Sequence, residues 1–162
     1  MRRGSLGGPP SWGGAQKRRL GSGSWFYFEF FIFMAAAKKR ILVAEDTAAL
    51  RFLVHVTLKD TGYDAVAVND GNEAWNALCQ ADFDLVVTDY QMPIVDGFEL
   101  CRRMRRDPRL KQIPVLLLTA KVFEIDVAEV QAELGLFTVL AKPFSPRELT
   151  RLVHERLGVC SA

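Results

Sequence analysis

A chain of 162 residues, 49% apolar and 25% charged, is long enough to bury one sizeable core and has the composition of an ordinary globular domain. Its three cysteines, Cys79, Cys101 and Cys160, lie far apart with no C-x-x-C pair, which argues against a disulfide framework or a cysteine zinc site and fits a reducing cytoplasm; no apolar run reaches the roughly 18 residues of a membrane span. The net charge of +2 hides an asymmetry: residues 1–33 hold five basic residues and one acid, whereas residues 34–162 hold 16 basic and 18 acidic residues, so charge alone gives no nucleic-acid surface beyond the N-terminal piece.

That N-terminal piece differs in composition from the rest. Residues 1–24 are rich in Gly, Ser, Pro and Arg and read as disordered. The stretch WFYFEFFIFMAAA that follows carries five of the chain's eleven Phe. A basic start, an apolar stretch and small residues at Ala35 to Ala37 imitate a secretory signal, but Glu29 interrupts the apolar part and Lys38-Lys39-Arg40 follow at once. Three readings stand: a non-native or upstream start with Met34 as the working first residue, which we prefer; a flexible tail whose aromatics dock elsewhere; and a targeting signal. The boundaries are set at 1–37 for this extension and 38–160 for a folded domain.

From residue 39 short apolar runs recur, each ending on a polar residue. RILVAED ends on Glu45 and Asp46. Leu50, Leu53, Val54 and Leu58 then repeat at helical spacing, with Gly62 as the stop. DAVAVN ends on Asn69, and Asp70 with Glu73 has the spacing of a capping box before Ala74, Ala77 and Leu78. DLVVTD ends on Asp89. Phe98, Leu100, Cys101 and Met104 form a third helical stripe, closed by Asp107-Pro108. PVLLLT ends on Thr119, and Val122 to Leu134 reads as a fourth helix ended by Gly135. FTVLAK ends on Lys142. Ser145-Pro146-Arg147-Glu148 is a capping box with proline at the first helical position, followed by the stripe Leu149, Leu152, Val153 and Leu157.

Near-continuous runs of Val, Ile and Leu are what strands buried on both faces look like. Five of them alternating with five helices predict an α/β domain with a parallel sheet. In such a sheet ligands bind outside the carboxyl ends of the strands. Glu45, Asp46, Asp89, Thr119 and Lys142 all fall at those ends, so one rim gathers three carboxylates, a hydroxyl and an ammonium. Crowded carboxylates repel unless a cation sits among them, and hard oxygen ligands that leave water positions open suit Mg²⁺. A lysine neutralises a phosphoryl oxygen as a point charge, and an aspartate carboxylate is a nucleophile toward phosphoryl groups. The rim reads as a device that makes, holds and loses an aspartyl phosphate.

With these features in order, the sequence resembles the receiver domain of two-component response regulators over roughly residues 39 to 158, specifically a stand-alone, chemotaxis-type member. The resemblance rests on Glu45-Asp46, on TDYQMPIVDG around Asp89, on LLLTA with Thr119, and on KPFSP from Lys142. It implies a flavodoxin-like, doubly wound (βα)5 fold with strand order 2-1-3-4-5. It implies a Mg²⁺-dependent switch, with Mn²⁺ as the alternative ion, that is not an enzyme beyond its own phosphorylation and dephosphorylation. Asp89 is then the phosphoacceptor. Asp46 binds the metal directly, Glu45 binds it through water, and Asp89 and the Gln91 carbonyl are further ligands. Thr119, Ala120 and Lys142 contact the phosphoryl group, with Thr119 as the switch hydroxyl and the Lys142–Pro143 bond cis. Gln91 and Lys121 occupy the positions that tune phosphoryl lifetime. The donor is a histidine kinase or a histidine phosphotransfer protein. A downstream protein meets the face made by the fourth helix, fifth strand and fifth helix, and the chain is a cytoplasmic monomer or weak dimer with no nucleic acid or membrane partner. Because few residues follow the last helix, the expectation is a single-domain regulator that signals to a partner or relays the phosphoryl group.

One departure bears on signalling. The switch-aromatic position on the fifth strand holds Val139, and strand alternation puts Phe137 on the same face as its candidate substitute. The acidic residues Glu124, Asp126, Glu129 and Glu133 of the fourth helix would then face a partner. The bland readings are that Asp46 caps a helix, Asp89 opens a turn, Thr119 closes a strand, CRRMRRDPRLK is a solvated helix face, and His55 and His154 are surface residues. The competing functions are a receiver-shaped module that takes no phosphate, and a Mg²⁺-dependent phosphatase on the haloacid-dehalogenase plan. The second wants D-x-D at the nucleophile, where this chain has Gln91.

Overall fold

The computed structural model describes residues 38–121 and 127–158. The chain divides after Ala37 into two units, of which the second, from Lys38, carries all the described elements. The readings made for residues 1–37 lie outside the described residues, as do residues 122–126 of the expected fourth helix and its Glu124 and Asp126.

In chain order the elements are β1 (Arg40–Ala44), α1 (Ala48–Asp60), β2 (Asp64–Val68), α2 (Gly71–Gln80), β3 (Leu85–Asp89), α3 (Gly97–Arg106), β4 (Val115–Thr119), α4 (Val127–Leu134), β5 (Thr138–Ala141) and α5 (Pro146–Leu157). The strands form one parallel sheet in the order β2-β1-β3-β4-β5, the order expected. Ladder pairing runs Ala44 with Thr88, Asp89 with Leu118, and Thr119 with Ala141, so the strands end together along one rim. Three strands stop short of the polar residues that close their apolar runs: β1 at Ala44, β2 at Val68 and β5 at Ala141.

Alternation along the strands builds a core on each face. Leu42, Val86 and Leu117 face Ala74 and Leu78 of α2, Leu100 and Met104 of α3, and Leu134 of α4. Ile41, Val43, Val87, Leu116 and Leu118 face Val54 and Leu58 of α1 and Leu149 and Val153 of α5. The three central strands are buried almost throughout, which is why their sequences read as unbroken apolar runs. Truncating a fully buried residue such as Leu118 to alanine is expected to cost about 2–5 kcal/mol through lost contacts and the residual cavity.

The helix starts follow the sequence signals. The Asp70 carboxylate accepts from the amides of Asn72 and Glu73 at 2.8 Å each, and Glu73 reaches back to the amide of Asn69, one residue before the cap. Asp96 caps α3 through the Glu99 amide, and Ser145 caps α5 through the Glu148 amide, with Pro146 first in the helix. The cap of α1 is Thr47, and its side chain makes no capping bond. Asp46 is therefore not a helix cap.

The basic run of α3 is a solvated face only in part. Arg102 pairs with Glu133 of α4 at 3.3 Å, and Arg103 pairs with Glu99. Arg105 is half-buried, and its guanidinium donates to four backbone carbonyls: Leu134 (2.6 Å), Gly135 (3.0 Å), Lys111 (3.1 Å) and Ile113 (3.1 Å). The last carbonyls of a helix have no partner inside it, and a planar fork of donors meets several at once. Among the described residues no helix is long and apolar enough to cross a membrane.

Candidate phosphoryl-acceptor cleft

The rim of the sheet brings five of the singled-out residues together. Glu45 directly follows β1, Asp89 ends β3, Thr119 ends β4 and Lys142 directly follows β5; Asp46 stands beside Glu45, exposed. One carboxylate oxygen from each of Glu45, Asp46 and Asp89 lies within 4.8 Å of the others, the one such grouping of three acids or metal-ligating side chains found among the described residues.

The Lys142 ammonium bridges two of these acids, at 2.7 Å from Asp89 Oδ2 and 2.8 Å from Glu45 Oε2. This uses one oxygen of each. Glu45 Oε1 accepts from the Thr47 amide at 3.2 Å, while Asp89 Oδ1 has only a long contact, 3.5 Å, from the Gln91 amide. Asp89 therefore offers one oxygen held by a cation and one that is nearly free.

Glu45 is fully buried, and burial raises its pKa; the Lys142 hydrogen bond opposes that rise, and the Asp89 charge adds to it. Burial lowers the pKa of Lys142, but its hydrogen bonds to Asp89 and Glu45 and their charges outweigh it, so its pKa stands above the ordinary lysine value. The lysine is thus firmly charged, and the cluster still carries excess negative charge. Three hard oxygen donors with one ammonium are a donor set that fits Mg²⁺, which takes one or two carboxylates and retains waters.

Thr119 is buried, and its Oγ1 accepts from the Lys121 amide at 3.0 Å, which leaves the hydroxyl proton available to donate. The Lys142 amide donates to the Thr119 carbonyl at 2.7 Å, so the ends of β4 and β5 are held in fixed relation. Ala120, Gln91 and Pro143 are exposed, Lys121 is half-buried, and the Lys142–Pro143 bond is cis. His55 and His154 are half-buried on α1 and α5, outside this group.

Val139 packs on the α2–α4 side of the sheet. Phe137 precedes β5 by one residue, where strand alternation no longer fixes the side chain. Its ring lies under the Arg156 guanidinium of α5 at 5.6 Å.

Sequence reading missed two glycines and an arginine. A Cβ on Gly97 would lie 1.9 Å from the Asp89 carbonyl oxygen, and one on Gly71 would lie 2.2 Å from that of Val95, so α3 starts against the end of β3 and α2 against the loop that follows it. The DG pair in the sequence carried that signal for Gly97. The arginine is Arg51, whose Nη1 donates to the carbonyls of Glu45 (2.8 Å) and Asp46 (3.0 Å).

A parallel sheet in this order, with an acidic cleft at its carboxyl rim, defines a doubly wound α/β protein of flavodoxin-like fold. The family model for the response regulator receiver domain matches residues 41–154. The DNA-binding response regulator MtrA of Mycobacterium tuberculosis is 35% identical over 124 residues, 76% of this chain and 53% of that protein. The transcriptional regulatory protein GltR of Pseudomonas aeruginosa is 38% identical over 116 residues, 72% of this chain and 48% of that protein. The chain thus spans about half the length of the curated relatives it matches. Among solved structures, the chemotaxis protein CheY4 of Vibrio cholerae aligns with a TM-score of 0.70 at 30% identity, over 75% of this chain and all of that one. The receiver domain of the Pseudomonas aeruginosa sensor histidine kinase PA1611, solved with a magnesium ion coordinated in its active site cleft, aligns at 0.68 and 28%, over 75% and 99%. The chain belongs to the response regulator receiver domain family. Receiver domains are phosphoryl-accepting signalling modules that bind Mg²⁺ in an acidic pocket and interact with histidine kinases or phosphotransfer proteins.

Proposed function

We propose that this chain takes a phosphoryl group from the phosphohistidine of a histidine kinase or phosphotransfer protein onto Asp89, in a cytoplasmic signalling pathway. Asp89 Oδ1 attacks phosphorus, the oxygen–phosphorus bond forms, and the bond to the donor's imidazole nitrogen breaks. Lys142 gives its charge to a phosphoryl oxygen, and the Thr119 hydroxyl donates to another. Asp46 would hold the metal directly and Glu45 through water, with Asp89 and the Gln91 carbonyl as further protein ligands. Held there, Mg²⁺ would supply positive charge to neutralise the transferred group. Gln91 and Lys121 flank the mouth and set how long the phosphoryl group survives. The face of α4, β5 and α5 passes the change to a downstream protein.

The observation that carries this reading is the position of Asp89, with one oxygen on Lys142 and two further carboxylates within 4.8 Å. Acetyl phosphate with Mg²⁺ should add one phosphoryl mass that hydroxylamine removes, and Asp89→Asn should stay unmodified. Equal labelling of both proteins by intact mass overturns the assignment.

A further inference from the structure

The connection from β1 to α1 presents two of the three carboxylates, yet apart from the Lys142 contact to the Glu45 carboxylate at 2.8 Å and the helical bond from the Arg51 amide to the Thr47 carbonyl at 2.9 Å, few bonds within it are short. The amide of Glu45 reaches the Val68 carbonyl at 3.3 Å, the Thr47 amide reaches Glu45 Oε1 at 3.2 Å, and the Thr47 hydroxyl reaches Asp46 Oδ1 at 3.4 Å. All three are long. In α2, α3 and α5 a side chain caps the helix start, but Thr47 does not cap α1. The two short bonds from a side chain to the backbone of this connection come from Arg51, whose Nη1 lies 2.8 Å from the Glu45 carbonyl and 3.0 Å from the Asp46 carbonyl. One nitrogen meeting two successive carbonyls fixes the orientation of both peptide planes. A charged donor on a carbonyl also makes a stronger bond than a neutral one.

We propose that Arg51 is a positioning residue for the metal site: it locks the backbone of Glu45 and Asp46 so that their carboxylates stand together beside Asp89. The proposal rests on the reading of these acids as the Mg²⁺ site. The side-chain hydrogen bonds found for Arg51 go to the two carbonyls and to neither carboxylate, so it aligns the ligands without occupying their oxygens. Alignment and charge act in opposite directions here. A guanidinium near a cation site repels the cation, so its loss would tighten Mg²⁺ if charge ruled, and weaken it if alignment does.

The full chain is titrated with Mg²⁺ by calorimetry as wild type, Arg51→Gln, Arg51→Lys and, as a charge control, Arg151→Gln. Arg51→Gln is expected to weaken Mg²⁺ on the order of tenfold, the scale seen when a group that orients a ligand is lost. Arg51→Lys, which keeps the charge but not the planar fork, is expected to fall between, and Arg151→Gln to match wild type. In the metal-free protein, amide exchange over residues 45–48 should rise in both Arg51 variants. Labelling by acetyl phosphate should slow at low Mg²⁺ and return to the wild-type rate at saturating Mg²⁺. Unchanged or tighter Mg²⁺ binding in Arg51→Gln overturns the proposal, as does an equal loss in Arg151→Gln. A wild type that binds no Mg²⁺ at all instead removes the metal-site reading, and this proposal with it.

Discussion

The ammonium of Lys142 stands 2.7 Å from the carboxylate of Asp89, although 53 residues and an intervening strand separate them. The parallel order of the sheet makes this contact: β3 and β5 both flank β4, and all three end at one rim. The same ammonium reaches Glu45, so a single cation neutralises part of a cluster of three acids.

Replacing Lys142 by methionine should therefore strand Glu45 and Asp89. Breaking a buried ion pair by removing one partner costs about 3–5 kcal/mol, and the partial exposure of this pair puts the expected loss near the lower figure at pH 8 without metal. At pH 5 the loss should shrink, because Glu45, whose pKa burial already raises, takes up a proton more readily. In the wild type the raised pKa of Lys142 stabilises the fold fully below its ordinary value of 10.5, and that support is lost as pH rises through the folded value. Urea denaturation at the two pH values checks the difference; an equal loss at both counts against the coupling.

Asp46 adds an exposed third carboxylate to a cluster already in charge excess. Asp46→Ala is expected to raise metal-free stability slightly, by less than about 1 kcal/mol, while weakening Mg²⁺ and preventing phosphorylation. Thermal melts with and without Mg²⁺ should cross over: the variant is the more stable without metal, and the wild type gains more from it.

Gly97→Ala tests how closely α3 sits on the end of β3. The new methyl would meet the Asp89 carbonyl oxygen at 1.9 Å, and backbone cannot swing away as a side-chain tip can. The expected cost is about 2–3 kcal/mol, with slower labelling by acetyl phosphate as Asp89 is displaced. Wild-type stability together with a wild-type labelling rate would show that the loop yields freely.

Cys101 is buried on α3, and burial pushes its thiol pKa up to about 12 from an ordinary value of 9.0; Arg105 lowers it and Asp96 raises it by smaller amounts. Between those values the unfolded chain releases a proton that the folded chain keeps, so stability falls by up to about 1.4 kcal/mol per pH unit above pH 9. At pH 8, iodoacetamide should alkylate the exposed Cys79 in native protein and reach Cys101 only on unfolding. Peptide mapping after a timed reaction tests this, and early modification of Cys101 contradicts it.

Val139 cannot sweep between buried and exposed positions as a ring does, so the response to phosphorylation should concentrate on α4 and Phe137. Amide shifts on adding beryllofluoride are expected to be larger there than in α3. Shifts confined to the loops after Asp46 and Asp89, with residues 121–140 silent, would mark a phosphoryl carrier rather than a conformational switch.

The sheet and its rim were legible because each relevant residue ends an apolar run, and the burial of β3 and β4 on both faces makes those runs conspicuous. Asp89 and Thr119 needed only that signal. Arg51 was not legible, since an arginine one turn into a helix reads as solvent-facing whether it folds back onto the preceding loop or not. Arg105 was hidden for the same reason among neighbours of like charge. The left-handed backbone at Ile94 (φ 70°) had no sequence cue either, because a β-branched residue is the last choice for that conformation, and the residue is 82% exposed.

The four carbonyls on Arg105 tie the α3–β4 connection to the turn between α4 and β5. That connection therefore has a measured length. An inserted or deleted residue between Asp107 and Pro114 would lift Lys111 and Ile113 off the guanidinium and unseat the end of α4 with them. This segment is therefore a poor place for a graft or an epitope tag, although it lies at the opposite end of the sheet from the acidic rim.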